Sequence, residues 1–440
     1  MEFKRYRIEE IGTVVGGGTP STKNPNYYGG NIPWITPKDL ANYEKRYIQY
    51  GERNITDEGL KHSSAKLVPA NTILMTSRAP IGYLAIAANE VSTNQGFKSI
   101  ICDEKVVSPK FLYYLLQYEM ENIKSLGTGS TFSEISGKVV KNIEVNLPNI
   151  ENQKKIEGVL DVVDEKIETN QHIIANLEKL SQTLFKRWFI DFEFPDKNAT
   201  PYKSSDGKMI DSELGEIPKG WKVSKFNDYI ENIIAGDWGK QNEEGNYTCP
   251  TRIIRGADLD SFSKGNKGKA PIRYILEKNY KKKKLIAGDI IIEISGGSPT
   301  QSTGRTLLID NNIITYNDKL VSTNFCKVIR PSVNYYSDWI NEYLKYLYDR
   351  NVFFNYENGT TGIKNLDYKS VLNTMKIISP EIYLIKKFHY QTHKYYNYIQ
   401  TLGYENKKLQ DLRDTLLPKL MSGEIEISDD IEVNSDELSI

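Results

Sequence analysis

Two histidines one helical turn apart, His389 and His393, come closest to a metal-binding pattern in this sequence. Imidazole rings at i and i+4 lie on one face of a helix and can share a cation. No third ligand is evident from the sequence, so a solvated helix face is the preferred interpretation and no metal site is predicted. The other histidines, His62 and His172, have no neighbours that indicate a catalytic triad.

Three other motifs each lack a part that their chemistry requires. Asn24-Pro25-Asn26-Tyr27 is similar to the Asn-Pro-Pro-Tyr loop of adenine methyltransferases, but its third residue differs and no glycine-rich cofactor loop precedes it, so a turn is expected. Gly16–Gly18 and Gly296–Gly297 lack the Gly-Lys-Ser/Thr that a phosphate-binding loop needs. Pro195-Asp196 has no Glu-x-Lys of a nuclease site. The sequence therefore predicts no catalytic residue, and binding is the remaining function.

The charge of the chain is balanced overall but unevenly distributed. Its 440 residues include 57 basic and 57 acidic ones, and this net charge of zero weakens a nucleic-acid interpretation. No Lys or Arg follows Lys419, however, and residues 421–440 form an acidic tail that leaves the rest mildly basic. The 29 tyrosines suit either polar contact surfaces or a tyrosine-rich core. Three widely separated cysteines, no signal core and no membrane-length apolar stretch predict a soluble, cytoplasmic protein.

The second half of the chain repeats the first. Ser92-Thr93-Asn94 recurs as Ser322-Thr323-Asn324, an offset of 322 − 92 = 230. Further landmarks recur 232 residues later: Gly127-Thr128 as Gly359-Thr360, Pro148 as Pro380 and Leu177 as Leu409. Both copies contain short apolar runs separated by Gly, Pro and Asn, with one helix each at about residues 109–124 and 337–348. The pattern predicts a duplicated α+β domain.

Each copy ends in a long stretch with the period of a coiled coil. Positions that alternate by four and three residues are mostly apolar, which is typical of the seam between two paired helices. The sequence predicts one long helix over residues 150–195, capped by Asn149 and closed by Pro195, and a second over residues 381–420, stopped by Pro418. The predicted seam consists of Ile156, Leu160, Val163, Ile167, Asn170, Ile174, Leu177 and Leu184 in the first helix, and of Tyr395, Ile399, Leu402, Asn406, Leu409 and Leu416 in the second.

Asn170 and Asn406 interrupt the two seams near their midpoints. In an antiparallel pair centred there they face each other, and we expect them to pair and to fix the register at some cost in stability. A helix of about 35 residues spans roughly 50 Å, on the order of fifteen base pairs of DNA. The alternative, that each helix packs only on its own domain, fits poorly with so narrow an apolar stripe. The predicted division is a first domain (1–149), the first long helix (150–195), a linker with the second domain (196–380), the second long helix (381–420) and the acidic tail (421–440).

A series of motifs along nearly the whole chain carries a family resemblance. The long segments Ile156–Trp188 and Leu409–Glu424 look like conserved regions, and residues 225–375 depart most from the pattern. The local motifs are Gly17–Ser21, Ile32–Thr36, Thr76–Gly82, Thr93–Phe97, Gly127–Phe132, Asp191–Pro195, Ile217–Trp221 and Leu412–Leu420. In these features the chain resembles the specificity subunits of type I restriction–modification systems.

The resemblance implies a fold and a function. It implies an α+β chain with two globular target-recognition domains separated by two long antiparallel coiled-coil helices, related as a pseudo-two-fold internal repeat. It implies that the chain binds a bipartite, asymmetric double-stranded DNA target and docks two modification (methyltransferase) subunits and two restriction (motor-nuclease) subunits. The chain itself would be non-catalytic and without a cofactor, and S-adenosylmethionine, ATP and magnesium would be bound by the partner subunits.

Polar and cationic residues in the loops of both domains are the candidates for DNA contact, because such side chains read base edges and bind phosphates. Each of them has ordinary surface exposure as its alternative interpretation, and so does the basic run Lys281–Lys284. The candidates are Thr19, Ser21, Lys23, Tyr27, Arg78 and Gln95 in the first domain and Lys240, Arg252, Arg255, Arg305 and Lys364 in the second.

Two functions of other classes stay open at this point. One is a self-contained restriction or methylation enzyme, against which the missing cofactor and nuclease motifs count. The other is a coiled-coil scaffold with two protein-binding modules, for which the neutral net charge is the best support.

Overall fold

The computed structural model describes residues 1–41, 43–128, 133–296, 298, 300–317, 319–359 and 363–428. The chain divides into two compact units, one of Met1–Glu168 with Lys408–Ile440 and the other of Thr169–Lys407. Most of the motif Gly127–Phe132, Thr360 of the repeat and residues 429–440 of the acidic tail lie outside the described residues. Among the described residues, no helix combines the length and hydrophobicity needed to cross a bilayer.

The first unit contains short strands and helices followed by one long helix. The strands are β1 (Lys4–Arg7), β2 (Gly12–Gly16), β3 (Tyr28–Ile35), β4 (Tyr47–Ile48), β5 (Arg53–Ile55), β6 (Leu67–Val68), β7 (Ile73–Ser77), β8 (Ile81–Ala87), β9 (Val91–Thr93), β10 (Phe97–Cys102) and β11 (Glu144–Leu147). The helices are α1 (Ile8–Ile11), α2 (Asp57–Lys61), α3 (Pro109–Tyr118), α4 (Met120–Ser125), α5 (Gly137–Lys141) and α6 (Ile150–Phe185), of which α6 continues into the second unit.

Two sheets of strand order β2-β10-β7-β8-β4 and β5-β3-β9-β6 organise the first domain. Residues along β7 alternate between two apolar clusters, as the period of a strand requires. Ile73 and Met75 pack with Phe111 of α3, whereas Leu74 packs with Phe97 on the opposite face. β7 is therefore buried on both faces, which explains its continuous apolar run.

The second unit has the same kinds of element. Its strands are β12 (Met209–Ile210), β13 (Ile217–Pro218), β14 (Lys222–Ser224), β15 (Ile230–Ala235), β16 (Tyr247–Ile254), β17 (Ile272–Leu276), β18 (Ile290–Glu293), β19 (Ser295–Gly296), β20 (Thr306–Leu308), β21 (Leu320–Ser322), β22 (Cys326–Pro331), β23 (Glu357–Asn358), β24 (Lys364–Leu366) and β25 (Ile377–Ser379). Its helices are α7 (Leu259–Ser263), α8 (Glu277–Lys283), α9 (Asn311–Tyr316), α10 (Ser337–Asp349), α11 (Tyr368–Asn373) and α12 (Ile382–Met421), of which α12 continues into the first unit.

The strand pairings of the second domain repeat those of the first. Its main sheet, β15-β22-β18-β20, corresponds to β2-β10-β7-β8, and β14 pairs with β25 as β1 pairs with β11. The parallel pair β3–β9 joins Ile35 to Thr93, and the parallel pair β16–β21 joins Ile254 to Ser322. Thr93 therefore corresponds to Ser322, an offset of 322 − 93 = 229. The offset of 230 between the two Ser-Thr-Asn tripeptides therefore differs by one residue from the structural alignment. The structural alignment follows the backbone pairing and not the identity of the residues.

The two long helices differ from their predicted ends. Asn149 accepts a hydrogen bond from the backbone N–H of Asn152 at 2.8 Å and starts α6, as an N-cap does. The α-helix ends at Phe185 and a π-helical turn follows to Ile190, well before Pro195. Pro418 does not stop α12, which continues to Met421. A proline this close to the end removes one hydrogen bond of the last turn and leaves the turns before it intact.

The long helices pack antiparallel within each unit. In the first unit, Val163 and Ile167 of α6 form a buried cluster with Leu409 of α12, and Ile156 and Leu160 share a core with Leu420. In the second unit, Ile174 packs with Ile399 and Leu402, with Leu177 beside them, and Leu184 lies against the aromatic core around Phe388. Leu416 is half-buried against the core of the first unit. The α+β fold with two long helices is confirmed.

Two polar features interrupt the apolar seam. Asn170 Nδ2 donates to Asn406 Oδ1 at 2.9 Å and to Glu405 Oε2 at 2.8 Å. Tyr395, predicted in the seam, is half-buried and its hydroxyl accepts from Gln391 on the same helix. The neighbouring Tyr396 points inward instead, because its hydroxyl donates to the buried Glu342 of α10.

A buried charge network holds the first domain to α6 and α12 within the first unit. The Arg46 guanidinium contacts Asp161 and Glu168 of α6, its Nε lying 3.0 Å from Glu168. Burial works to lower the pKa of Arg46, but these carboxylates outweigh burial and raise it. One turn further along α6, Asp164 accepts from Arg413 of α12 at 2.8 Å. The cations are therefore neutralised where they are withdrawn from water.

Candidate nucleic-acid interface

Three polypeptide segments meet at one edge of the first domain. We call the residues Gly17–Tyr27, Arg78 and Asn94–Gly96 the first loop edge. The backbone N–H of Gly18 donates to Thr93 O at 2.9 Å, and that of Ser77 donates to Gly96 O at 2.7 Å. The backbone N–H of Asn94 donates to Ile35 O at 2.9 Å. These bonds fix three segments that are far apart in the sequence.

A close backbone approach explains one glycine at this edge. A Cβ atom at Gly17 would stand 2.0 Å from the carbonyl oxygen of Asn94, a distance that no side chain tolerates. A Cβ at the adjacent Gly16 would meet no described atom within 4 Å. Gly17 is therefore required for the contact between the two loops, and Gly16 is not.

The DNA-contact candidates of the first domain lie at this edge and differ in their exposure and in their side-chain partners. Thr19 is half-buried and its hydroxyl donates to the side-chain oxygen of the exposed Gln95. Ser21 and Lys23 are exposed on the same loop. Tyr27 stacks on His62 with ring centroids 5.6 Å apart. The remaining candidate, Arg78, is half-buried with its Nη1 3.4 Å from Glu134 Oε2.

The second domain builds an equivalent edge from equivalent bonds. We call the residues Gly236–Lys240 and Thr323–Phe325 the second loop edge. The N–H of Asp237 donates to Ser322 O at 2.8 Å, that of Thr323 to Ile254 O at 2.9 Å, and that of Ile294 to Phe325 O at 2.9 Å. A Cβ at Gly236 would stand 2.0 Å from Thr323 O, as at Gly17 in the first domain. The backbone frame is conserved between the copies.

The side chains on the two frames differ. At an offset of 229, Gln95 corresponds to Asn324 and Gly96 to Phe325. The Phe325 side chain is 60% exposed, which is unusual for a large apolar residue. Two domains with one frame therefore present different chemical groups at their edges.

Three of the five cations predicted in the second domain are tied to buried carboxylates. Arg255 Nε lies 2.7 Å from Asp258, Arg305 Nη2 lies 2.7 Å from Glu293, and Lys364 Nζ lies 3.0 Å from Glu357. Removing a cation from such a pair leaves an uncompensated buried charge. These three residues therefore support the domain itself, whatever else they contact.

The other two second-domain candidates are less constrained. Lys240 lies on the second loop edge, and its Nζ is 3.2 Å from the exposed Glu244. Arg252 Nη1 donates to the carbonyl oxygen of Ala270 at 2.8 Å, which leaves its other guanidinium N–H groups available.

The sequence interpretation missed an aromatic and cationic pair on the second loop edge. Trp238 is 37% exposed, and the Arg273 guanidinium lies 4.3 Å from its ring centroid while Arg273 Nε donates to Trp238 O at 2.7 Å. A tryptophan between Asp237 and Gly239, in a loop and outside any apolar run, was the available signal.

The basic run Lys281–Lys284 divides into two parts. Lys283 Nζ donates to Asp237 Oδ2 at 3.2 Å and to Gly236 O at 2.8 Å, whereas the other three lysines are exposed. Burial works to raise the pKa of Asp237, but the hydrogen bonds from Lys283 and Asn279 outweigh it and lower that pKa. Lys283 therefore holds the second loop edge in place through its contacts with Gly236 and Asp237.

The interpretation of His389 and His393 needs a correction, because a third candidate ligand lies beside them. Asp338 of α10, His389 and His393 each offer a ligand atom within 4.8 Å of the others. His389 contacts Asp338 through Nδ1, and the two imidazole centroids are 5.1 Å apart. The face of α12 that carries both rings is therefore covered by α10 and is not a fully solvated one.

Comparison with known proteins gives consistent matches over the chain. Residues 1–179 match the family model of the type I restriction modification DNA specificity domain. The specificity subunit of the type I restriction enzyme MjaIX from Methanocaldococcus jannaschii is 37% identical over 96% of this chain and 93% of its own length. The HindI specificity subunit from Haemophilus influenzae is 24% identical over 96% of this chain and 100% of its own length.

The fold is also found among solved structures. The S subunit of a type I restriction–modification system from M. genitalium superposes with a TM-score of 0.59 at 17% identity, over 96% of both chains. At this identity the likeness bears on the fold, and the sequence match over nearly the full length of the M. jannaschii protein bears on the family. This chain, with its two equivalent domains and its two long helices, belongs to the family of specificity subunits of type I restriction–modification systems.

Proposed function

We propose that this chain binds a bipartite, asymmetric double-stranded DNA target, with one half-site contacted by each target-recognition domain. One observation carries the proposal: the two loop edges share the same backbone hydrogen bonds but differ in their side chains. A common frame places each loop in the same way on its own domain, and different side chains select different bases. A protein that bound two identical half-sites would have no need of this divergence.

In the first domain, the proposed contacts are the side chains of the first loop edge. The amide of Gln95 is suited to the N6 and N7 atoms of adenine. Ser21 and Lys23 are suited to phosphate oxygens, and Arg78 to guanine or phosphate. Thr19 holds Gln95 in place through its hydrogen bond, and Tyr27 completes the proposed set.

In the second domain, Lys240 and Arg252 are proposed as direct contacts, because part of their hydrogen-bonding capacity is available. Arg255, Arg305 and Lys364 stay paired with their carboxylates, and they are proposed to support the domain that presents the direct contacts. Trp238 offers an aromatic face and Phe325 an apolar one, which is suited to a thymine methyl group.

The helix pair is proposed as the docking surface for two modification (methyltransferase) subunits, with two restriction (motor-nuclease) subunits joining them. Three tyrosines of α12, Tyr383, Tyr390 and Tyr398, are exposed, and tyrosine is enriched at protein interfaces. The chain is proposed to be non-catalytic, and S-adenosylmethionine, ATP and magnesium to be bound by the partners in the cytoplasm. The purified chain alone, with DNA, magnesium and labelled S-adenosylmethionine, should then transfer no methyl group.

Mapping of methylated bases in the host genome, with and without this gene, tests the proposed function. We expect a split motif that is methylated only when the gene is present. Substitution of Gln95 by Ala should then alter or abolish methylation through one half of that motif, and substitution of the exposed Glu90 by Ala should not. A methylation pattern that does not change when the gene is removed would refute the proposal.

A further inference from the structure

The side chains of Asp338, His389 and His393 converge where α10 packs on α12 in the second unit. One ligand atom from each lies within 4.8 Å of the other two. Three atoms so spaced have a common point at most about 2.8 Å from each, so movements of about 0.7 Å bring them to the 2.0–2.2 Å of zinc ligands. The three side chains, two from α12 and one from α10, are therefore close enough to bind one metal ion together.

We propose that Asp338, His389 and His393 bind one divalent transition-metal ion, with Zn²⁺ as the best match, and that the ion ties α10 to α12. Two imidazoles and one carboxylate are donors that suit Zn²⁺, and a water molecule completes the tetrahedron. No step of DNA modification involves this ion. Its role is to hold the second target-recognition domain against α12, the long helix that follows this domain in the chain.

The state of Asp338 is an independent observation in favour of a cation. Its side chain is 0% exposed, and its Oδ1 has no hydrogen-bond partner among the described residues. The other oxygen accepts from His389. A buried carboxyl oxygen without a partner is costly unless a hydrogen-bond donor or a cation satisfies it.

Access from solvent also fits metal uptake. His389 and His393 are only half-buried, so an ion can enter from solvent without unfolding of the domain. The alternative is a histidine–aspartate pair that holds the helices by hydrogen bonding alone.

Zinc titration of the metal-stripped full chain, purified without a polyhistidine tag, distinguishes the two. The chain contains four histidines, which makes matched controls available. We expect the wild type to bind one Zn²⁺ per chain and to melt at a higher temperature with zinc. H393Q and D338N should bind more than about 100-fold more weakly, because even outer-shell partners of a metal account for 10–100-fold. The paired control H62Q/H172Q should bind as the wild type does.

Two measurements on the wild type keep the test independent of how the variants fold. Co²⁺ in place of Zn²⁺ should give a spectrum without thiolate bands, which excludes the three cysteines as ligands. Zinc should protect His389 and His393, but not His62 and His172, from diethyl pyrocarbonate in peptide mass spectra. No stoichiometric uptake, thiolate bands, or equal uptake by H393Q would overturn the proposal and leave the hydrogen-bonded pair.

Discussion

Replacing both asparagines of the helix pair with leucine is expected to stabilise the unit Thr169–Lys407. Asn170 is 1% and Asn406 7% exposed, and their side chains are joined by one hydrogen bond of 2.9 Å. Burying a leucine contributes about 1.5–3 kcal/mol, so two contribute about 3–6 kcal/mol. Two hydrogen bonds of Asn170 are lost, to Asn406 and to the half-buried Glu405, and together they subtract about 1–3 kcal/mol. Imperfect packing subtracts about 1–3 kcal/mol. The central values leave a net gain of about 0.5 kcal/mol. At about 2–4 °C for each kcal/mol in a unit of this size, the melting temperature should rise by about 1–2 °C.

The single substitutions should behave differently from the pair and from each other. N170L leaves the buried Oδ1 of Asn406 without its donor and should lower stability by about 1–3 kcal/mol. N406L should cost less, because Asn170 keeps its hydrogen bond to Glu405 Oε2. The double-mutant cycle should therefore give a coupling energy above about 1 kcal/mol.

Calorimetry and urea unfolding of the four chains measure these differences. The double variant should also lose helix alignment, since a seam of leucines no longer distinguishes one register from its neighbours. Spin labels at the exposed positions Leu180 and Tyr398 report that loss as a broader distance distribution than in the chain with both asparagines. An unchanged or lower melting temperature of N170L/N406L would refute the reasoning, because polar pairing would then not cost stability.

Three further perturbations test other parts of the structure. Arg46→Ala should lower the free energy of unfolding by about 3–5 kcal/mol, because it leaves Glu168 without its cation and Asp161 with Lys110 alone. Arg5→Ala, at an exposed pair, should change it by less than about 1 kcal/mol. Equal effects of the two substitutions in urea unfolding would contradict the burial argument. Gly17→Ala should weaken methylation at the mapped target by more than about tenfold, which corresponds to about 1.4 kcal/mol, because its Cβ would collide with the Asn94 backbone. Gly16→Ala should leave methylation unchanged. Similar losses in both variants would show that the close approach at Gly17 is unimportant. Burial raises the pKa of Asp310 to about 6. Between pH 3.9, where an unfolded aspartate loses its proton, and about pH 6, the folded chain still holds that proton. The free energy of unfolding should therefore fall as the pH rises between these values. Asp310→Asn keeps the helix cap and should remove this slope in pH-dependent melts; a slope that persists would assign it to another group.

The helix pair was predictable because its signal is local. A heptad seam lies within one segment, and the cap at Asn149 needs only the next three residues. The exception is Tyr395, where two adjacent tyrosines fit the period almost equally well. The choice between them depends on Glu342, which lies more than fifty residues away in α10 and offers the hydroxyl acceptor.

The candidate interface was harder to predict because a charged side chain does not reveal its partner. Arg305 and Glu293 are twelve residues apart and meet only because β18 and β20 pair. The same applies to Asp338, whose sequence distance from His389 is 51 residues. The types of single residues were readable from the sequence, but their contacts across strands and helices, and with them their exposure, needed the tertiary structure.

The division of the first unit has a consequence for the order in which the chain folds during synthesis. Val163 and Ile167 of α6 form a buried cluster with Leu409 of α12, so part of their apolar surface stays uncovered until Leu409 leaves the ribosome. At about 5–20 residues per second, the wait between Glu168 and Lys408 lasts roughly 10 to 50 s, while Thr169–Lys407 is contiguous and can fold first. The first domain to be translated is then the last to be completed, and a chain that stops before Lys408 exposes an apolar stripe that chaperones and proteases recognise.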